Sequence, residues 1–297
     1  MKTIQRPEPE LSHALGGTDV WLKREDEHPY GSHKGRSIPL MIKEYRKRDN
    51  VLNFVISSSG NAAIAAALTV QKHNQNNPGD NITLKIFVGP HVDEHKLHRL
   101  RLFEDGQSII VEQVENPKQQ AFLVDQQGAA KNLRQSTDEI ALRGYFDLAI
   151  ELSKIPNLQA IFIPTSSGTT AQALGETFDK LAVHPQIHIV QTETCHPIAA
   201  EFDTTLEHIA PGSVSLAPAI VDQVGHRKAQ VIEVIKKTKG SGWIVPDAQI
   251  QDAMTLVKTT TGVEISPNSA LSVAGLQKAL AAEWKFTGAV VCIITGP

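Results

Sequence analysis

Lys34 stands in Ser32-His33-Lys34-Gly35-Arg36, directly after Pro29-Tyr30-Gly31 and at the start of a helical pattern. A lysine that a tight turn projects into a cleft loses water, its pKa falls, and its neutral amine can attack a carbonyl. Most lysines are solvated surface groups, so the segment alone does not decide between these roles. The neighbouring Lys23, Arg24 and Arg36 read as salt-bridged or solvated residues, and His33 reads as a polar residue opening a helix.

Ser57-Ser58-Ser59-Gly60-Asn61 lies between an apolar run and an Ala-rich stretch, and Thr165-Ser166-Ser167-Gly168-Thr169-Thr170 repeats the arrangement. Hydroxyls and free backbone N–H groups at a helix start make a site for a carboxylate or a phosphate. Ser, Thr and Asn are also ordinary helix caps, so each loop by itself serves either purpose. Neither is a P-loop, because the G-x-x-x-x-G-K-[ST] lysine is missing. His91, Asp93, Glu94, His95 and His98 have spacings that suggest a metal. Their order is not H-E-x-x-H, and the stretch reads as a solvated helix start, so no metal is expected.

These residues need elements to hold them. Short apolar runs alternate with helical stretches: VLNFVIS before GNAAIAAALTVQKH, ITLKIFVGP before EHKLHRLRLFEDG, then SIIVEQV. The rhythm returns as AIFIPTSSG, TTAQALGETFDKLAV, QIHIVQTET and a closing AVVCIITGP. Such alternation predicts parallel sheets covered by helices, with ligands collecting beyond the carboxyl ends of the strands, where SSSGN, TSSGTT and TGP sit. HNQNNPGDN at 73–81 reads as a surface loop, and the Gln-rich segment from Asn116 to Thr137 as a linker or a mobile lid.

At 297 residues the chain suggests two domains sharing a cleft, and 41% hydrophobic with 21% charged residues is ordinary for a globular protein. A net charge of −3 without a basic block interleaved with aromatics excludes nucleic acid as the expected partner. Cys195 and Cys292 are far apart and outside any C-x-x-C, which argues against a disulfide framework and a thiolate zinc site; Cys195 reads as a small buried residue. The amino terminus lacks a signal-like apolar core and no run is long enough for a membrane span, so a cytoplasmic location is expected.

Taken in order, KRED..PYGSHKGR, SSSGNAAIAAA, PTSSGTTAQALGETF, VEISPNSALSVAGL and CIITG resemble the motif sequence of fold-type II pyridoxal phosphate enzymes, the tryptophan synthase β superfamily. SSGNAA, HIVQTETCHPIAAEF and the terminal Thr-Gly are most similar to threonine synthase-like and threonine dehydratase-like members. The resemblance implies an α/β fold of two three-layer αβα domains with mostly parallel sheets and a cofactor cleft between them. Residues 1–44 with 141–297 are expected to form the large domain, and 45–140 a small mobile domain carrying SSSGN. It implies pyridoxal 5'-phosphate held as a Schiff base on Lys34, which also moves the proton at the substrate Cα. Asn61 would bond the 3'-oxygen, Ser58, Ser59, Gly60 and Asn61 would take the substrate carboxylate, and Thr295 would face the pyridine nitrogen. Ser166, Ser167, Gly168, Thr169 and Thr170 would hold the cofactor phosphate, with His33 beside it.

The sequence departs from that pattern in places. Threonine synthases and dehydratases usually read Ser-Phe-Lys-Asp-Arg, whereas here His33 precedes the lysine, as in tryptophan synthase β chains, and Gly35 stands where Asp is usual. Ser166 and Ser167 occupy positions where glycines are common, and the Thr-Gly at the carboxyl terminus is usually followed by a further segment, so a compact version of the fold is expected. The expected activity is a lyase converting O-phosphohomoserine to threonine, whose second phosphate needs a cationic pocket; Lys23, Arg24, Arg36 and Arg143 are candidates. The alternatives are a serine or threonine dehydratase or cysteine synthase-type β-replacement enzyme, and, from another class, a non-catalytic scaffold. A small amino acid is the expected substrate and a homodimer the expected assembly.

Overall fold

The computed structural model describes residues 2–203 and 214–297. By its contacts the chain divides into two compact units, 1–28 with 145–297 and 29–144.

The first unit contains β1 (Gln5–Pro7), α1 (Pro9–Ala14) and β2 (Val20–Arg24) from the beginning of the chain. The second unit, contiguous in sequence, follows with α2 (Lys34–Asp49), β3 (Asn53–Ser57), α3 (Asn61–Asn76), β4 (Thr83–Val88), α4 (Glu94–Arg101), β5 (Ile109–Gln113), α5 (Pro117–Gln126), β6 (Lys131–Asn132) and α6 (Ile140–Arg143). The first unit then resumes with α7 (Phe146–Leu152), β7 (Leu158–Pro164), α8 (Thr169–Lys180), β8 (Gln186–Thr192), α9 (Lys228–Thr238), β9 (Gly242–Val245), α10 (Asp247–Thr261), α11 (Pro267–Ala281) and β10 (Ala289–Ile294).

The sheet of the second unit runs β5-β4-β3-β6, parallel throughout, with Ser57 opposite Phe87 and Val88 opposite Gln113. Side chains alternate across it. Phe54, Ile56, Leu84 and Ile86 meet Ile38, Met41 and Ile42 of α2 and the alanines of α3, while Val55 and Phe87 meet Ala121 of α5 on the other face. The Gln-rich segment expected as linker or lid is therefore in part a helix, started by Pro117 in its first turn and seated by Ala121. Likewise α3 continues through Asn76, into the stretch expected to be a loop. Asn74 explains the extension: its amide accepts from Ile82 N at 2.9 Å and donates to Ile82 O at 3.0 Å, closing the return to β4.

The sheet of the first unit runs β1-β2-β10-β7-β8-β9, antiparallel at β1–β2 and parallel elsewhere. Ala160, Phe162, Val190, Val290 and Cys292 point to one face, against α1, α10 and α11, and the alternate residues Ile161, Ile163, Ile187 and Ile189 are also buried. That double burial is what a parallel strand covered by helices on both faces requires. His188 sits inside this sheet, stacked on Phe162 with ring centroids 4.5 Å apart, and its Nδ1 accepts from Trp243 Nε1 at 3.1 Å. At the sheet's carboxyl side Lys23 and Glu151 form a buried ion pair, and Glu151 also accepts from Thr3 N. Mixed α/β architecture with parallel sheets, as expected from the alternation, is what the chain adopts. Among the described residues no helix is long and apolar enough to cross a membrane.

Candidate active site

In the second unit the start of α2 is built by a buried serine. Gly31, at φ +74°, turns the chain; Ser32 then accepts Lys34 N at its Oγ (3.3 Å) and Gly35 N at its carbonyl (3.0 Å). Positive φ suits glycine, which has no Cβ to clash. Pro39 has no N–H, so the Gly35 carbonyl loses its usual partner and the first turn carrying Lys34 is one bond poorer. The Lys34 residue keeps some exposed surface, yet burial pulls its amine from 10.5 down to about 8. About a tenth of the amine is then neutral at pH 7, about three-hundredfold more than for a free lysine. Gly144 lets the chain pass against this helix, because a Cβ there would lie 2.5 Å from Arg36 O.

Helices α2 and α3 pack together in this unit, and the SSSGN turn opens α3. Ser58 Oγ accepts Gly60 N at 3.2 Å, and Gly60, at the N-cap, brings no side chain to cap the helix. The start of α3 is a place where backbone N–H groups suit an anion. Ser58, Ser59, Gly60 and Asn61 are all half-buried, a degree that protects an anion from water while leaving it access.

In the first unit β7 and β10 are parallel neighbours, and their carboxyl ends set the TSSGTT turn beside Thr295. Gly168, at φ +85°, opens α8, and a Cβ added to it would strike Val231 Cγ2 at 2.6 Å. Ser167 Oγ and Thr169 Oγ1 are 2.9 Å apart, Thr169 and Thr170 are buried, and Ser166 Oγ accepts the N–H groups of Val221 (3.1 Å) and Asp222 (3.2 Å). A glycine cradle with hydroxyls at an uncapped helix start fits a phosphate. Thr295 is buried, 3.5 Å from Ser269 Oγ, which also fixes the Gly296 carbonyl (2.9 Å) and N–H (3.2 Å).

Sequence reasoning had not singled out Ser266 and Ser269, although Ser-x-x-Ser before an apolar helix was a legible cap: Ser266 accepts Ser269 N. It also missed Gln191, whose amide receives Ile198 N and Ala199 N and donates to the Thr165 carbonyl, anchoring the turn from behind. A glutamine inside an apolar strand run was the available signal. Arg227 gave none; it is buried and donates to Gln172 Oε1 at 2.9 Å in the first turn of α8.

A sequence profile described as "Pyridoxal-phosphate dependent enzyme" matches residues 2–296. The chain belongs to that family. Its cofactor is accordingly pyridoxal phosphate, and the donors at both helix starts and the low-pKa lysine fit it. Family members similar in sequence include a threonine synthase from Mycobacterium leprae, 25% identical over 97% of this chain and 79% of that protein. A threonine synthase from Methanocaldococcus jannaschii is 24% identical over 91% of this chain and 67% of its own length. Among solved structures, maize serine racemase superposes with a TM-score of 0.81 at 17% identity, covering 100% of this chain and 88% of that one. The processed form of threonine deaminase isoform 2 from Solanum lycopersicum gives 0.79 at 18% identity, covering 100% and 84%. The structural likenesses establish the fold of this pyridoxal-phosphate enzyme.

Proposed function

We propose that this enzyme is a lyase acting on a small amino acid by elimination or replacement, of the threonine synthase type, with O-phosphohomoserine as substrate. The observation that carries the reading is a lysine of lowered pKa opening one helix in the same unit as an uncapped Ser-Ser-Gly-Asn turn opening the next. Similarity to two threonine synthases over most of the chain supports the subtype.

In this reading Lys34 would hold the cofactor, and its amine would serve as the general base toward the substrate Cα. Ser58, Ser59, Gly60 and Asn61 would bind and orient the carboxylate, and the Asn61 amide would bond the cofactor's 3'-oxygen. Ser166, Ser167, Gly168, Thr169 and Thr170 bind the phosphate, with His33 contributing. Thr295 would offer a pyridine nitrogen a neutral hydroxyl, which, unlike a carboxylate, would not hold it protonated and would favour prompt loss of a leaving group over transamination. The bound cofactor supplies the electron-withdrawing system that makes the Cα proton removable.

One observation favours a second reading, a serine or threonine dehydratase or a cysteine synthase-type enzyme, none of which handles a second phosphate. Of the four candidate cations, Lys23 is paired with Glu151, Arg24 with Asp26 (2.7 Å) and Glu27 (2.9 Å), and Arg143 with Glu44 (3.0 Å), so these three already face carboxylates. Absorption spectroscopy of the purified protein separates the readings. A band at roughly 410–420 nm that Lys34→Ala abolishes supports the assignment of the lysine. Its response to O-phosphohomoserine, serine, threonine and O-acetylserine, added in turn, selects the substrate. A protein that stays colourless after incubation with pyridoxal phosphate overturns the enzyme reading and leaves a scaffold.

A further inference from the structure

Residues 215–225, on the way from β8 to α9, contain neither helix nor strand, and three polar side chains from elsewhere in the first unit hold them. Asp247 at the start of α10 accepts from Leu216 N (3.0 Å) and Ser215 Oγ (2.7 Å), and Asn268 at the start of α11 accepts from Ala219 N at 3.0 Å. The third latch is Ser166 in the TSSGTT turn. Its Oγ accepts from two successive backbone N–H groups, Val221 at 3.1 Å and Asp222 at 3.2 Å. Of the strap's hydrophobic side chains Ala217 and Ile220 are buried, while Val221 and Val224 stand 58% and 68% exposed. A segment held by polar latches over so little core has low local stability, so each latch counts.

A hydroxyl has two lone pairs and one proton. Two N–H groups occupy the acceptor side of Ser166 Oγ, so toward an anion in the turn it has its O–H to offer. Successive backbone N–H groups make a concave donor surface that suits a negative group, and here the serine oxygen fills it. An oxygen that donates its own O–H to an anion becomes a stronger acceptor for the N–H groups behind it. Ser167 differs: its Oγ lies 2.9 Å from Thr169 Oγ1, a partner within the turn.

We infer that Ser166 is a positioning residue that joins this strap to the phosphate site. Its O–H donates to the cofactor phosphate while its oxygen holds Val221 and Asp222, so that loading the site seats residues 215–225. The inference rests on the reading in which the TSSGTT turn takes the cofactor phosphate.

Amide hydrogen exchange at Val221 and Asp222 tests it, in protein with pyridoxal phosphate, with pyridoxal, which lacks the phosphate, and with neither. In the wild type pyridoxal phosphate should slow exchange at both amides about three-fold, and pyridoxal should leave it unchanged. Ser166→Ala and Ser166→Gly should speed exchange about five-fold, as for loss of one ordinary hydrogen bond, abolish the response to the cofactor and weaken its binding about ten-fold. Ser166→Thr keeps the hydroxyl and should keep the response. Ser167→Ala should weaken the cofactor yet, at saturation, retain slow exchange at the two amides. Three results overturn the inference while the cofactor assignment stands: exchange in Ser166→Ala equal to the wild type, a cofactor response that survives in it, or a wild type with the band at roughly 410–420 nm and no change at these amides. Cofactor affinity unchanged in both Ser166→Ala and Ser167→Ala overturns the reading of the turn, and the inference with it.

Discussion

Lys23 Nζ donates to Glu151 Oε2 with neither side chain in appreciable contact with solvent, at 0% and 6% exposure. Lys23 is further held by the Thr3 carbonyl and the Gln5 amide oxygen, both at 3.1 Å. Breaking one member of such a pair leaves a buried charge that water cannot reach. Lys23→Met is therefore expected to destabilise the protein by about 3 kcal/mol, and adding Glu151→Leu should recover much of that loss. Urea unfolding of the two variants checks it; equal midpoints for Lys23→Met and wild type would show that Glu151 is relieved some other way.

Lys34 makes a pH prediction of definite sign. Its folded pKa of about 8 lies below the ordinary 10.5, so the folded state sheds the proton first. The cost of holding the buried ammonium is full below about pH 8 and is relieved between about 8 and 10.5, so stability of the cofactor-free protein should rise across that window. The rate at which stripped protein regains the band at roughly 410–420 nm should climb with a midpoint near 8, as the neutral amine does. Lys34→Met should flatten both profiles.

Gly168 joins two constraints, a positive φ and a close approach to Val231. Gly168→Ala should lower stability by about 1–3 kcal/mol and weaken pyridoxal phosphate binding, since the turn must shift to admit the methyl group. Adding Val231→Ala removes the collision at 2.6 Å but not the backbone strain, so it should restore part of the affinity. Cofactor titration of the single and double variants measures the share of each.

Burial pushes the His188 pKa down from 6.5 to about 3, with its ring neutral and accepting from Trp243. Unfolding lets it take up a proton below pH 6.5. Its contribution to stability is thus fully present above about 6.5 and falls, by at most about 1.4 kcal/mol per pH unit, as pH drops toward 3. Acid unfolding followed by tryptophan fluorescence should show this slope, and His188→Gln should reduce it even if the variant starts less stable.

The α/β architecture with parallel sheets and the family were legible because apolar strand runs and strand–turn–helix punctuation are local signals, whereas the short strands β1, β6 and β9 were not among the runs read. What was not legible depended on partners distant in sequence. Nothing near Asn74 announces that its amide will meet Ile82, and nothing in Gly225-His226-Arg227-Lys228 says that Arg227 will be buried against Gln172. The pairing of Lys23 with a carboxylate 128 positions away made it look like a free cation in the sequence. The two turns stood out because glycine and hydroxyls cluster there; Gln191 and Ser269 left fainter local signals, and that they brace the turns from behind shows only in tertiary contacts.

The placing of β10 between β2 and β7 has a consequence for how the chain emerges from the ribosome. Residues 29–144 form their own sheet and helices and can condense while the rest is still being made. The other sheet waits. Within this sheet β1 and β2 precede β7, β8 and β9 in the chain, and the place between β2 and β7 is filled by Ala289–Ile294, which follows all of them. Until β10 is made, β2 and β7 lack their partner on that side, so this strand is the keystone that joins the two parts of the sheet.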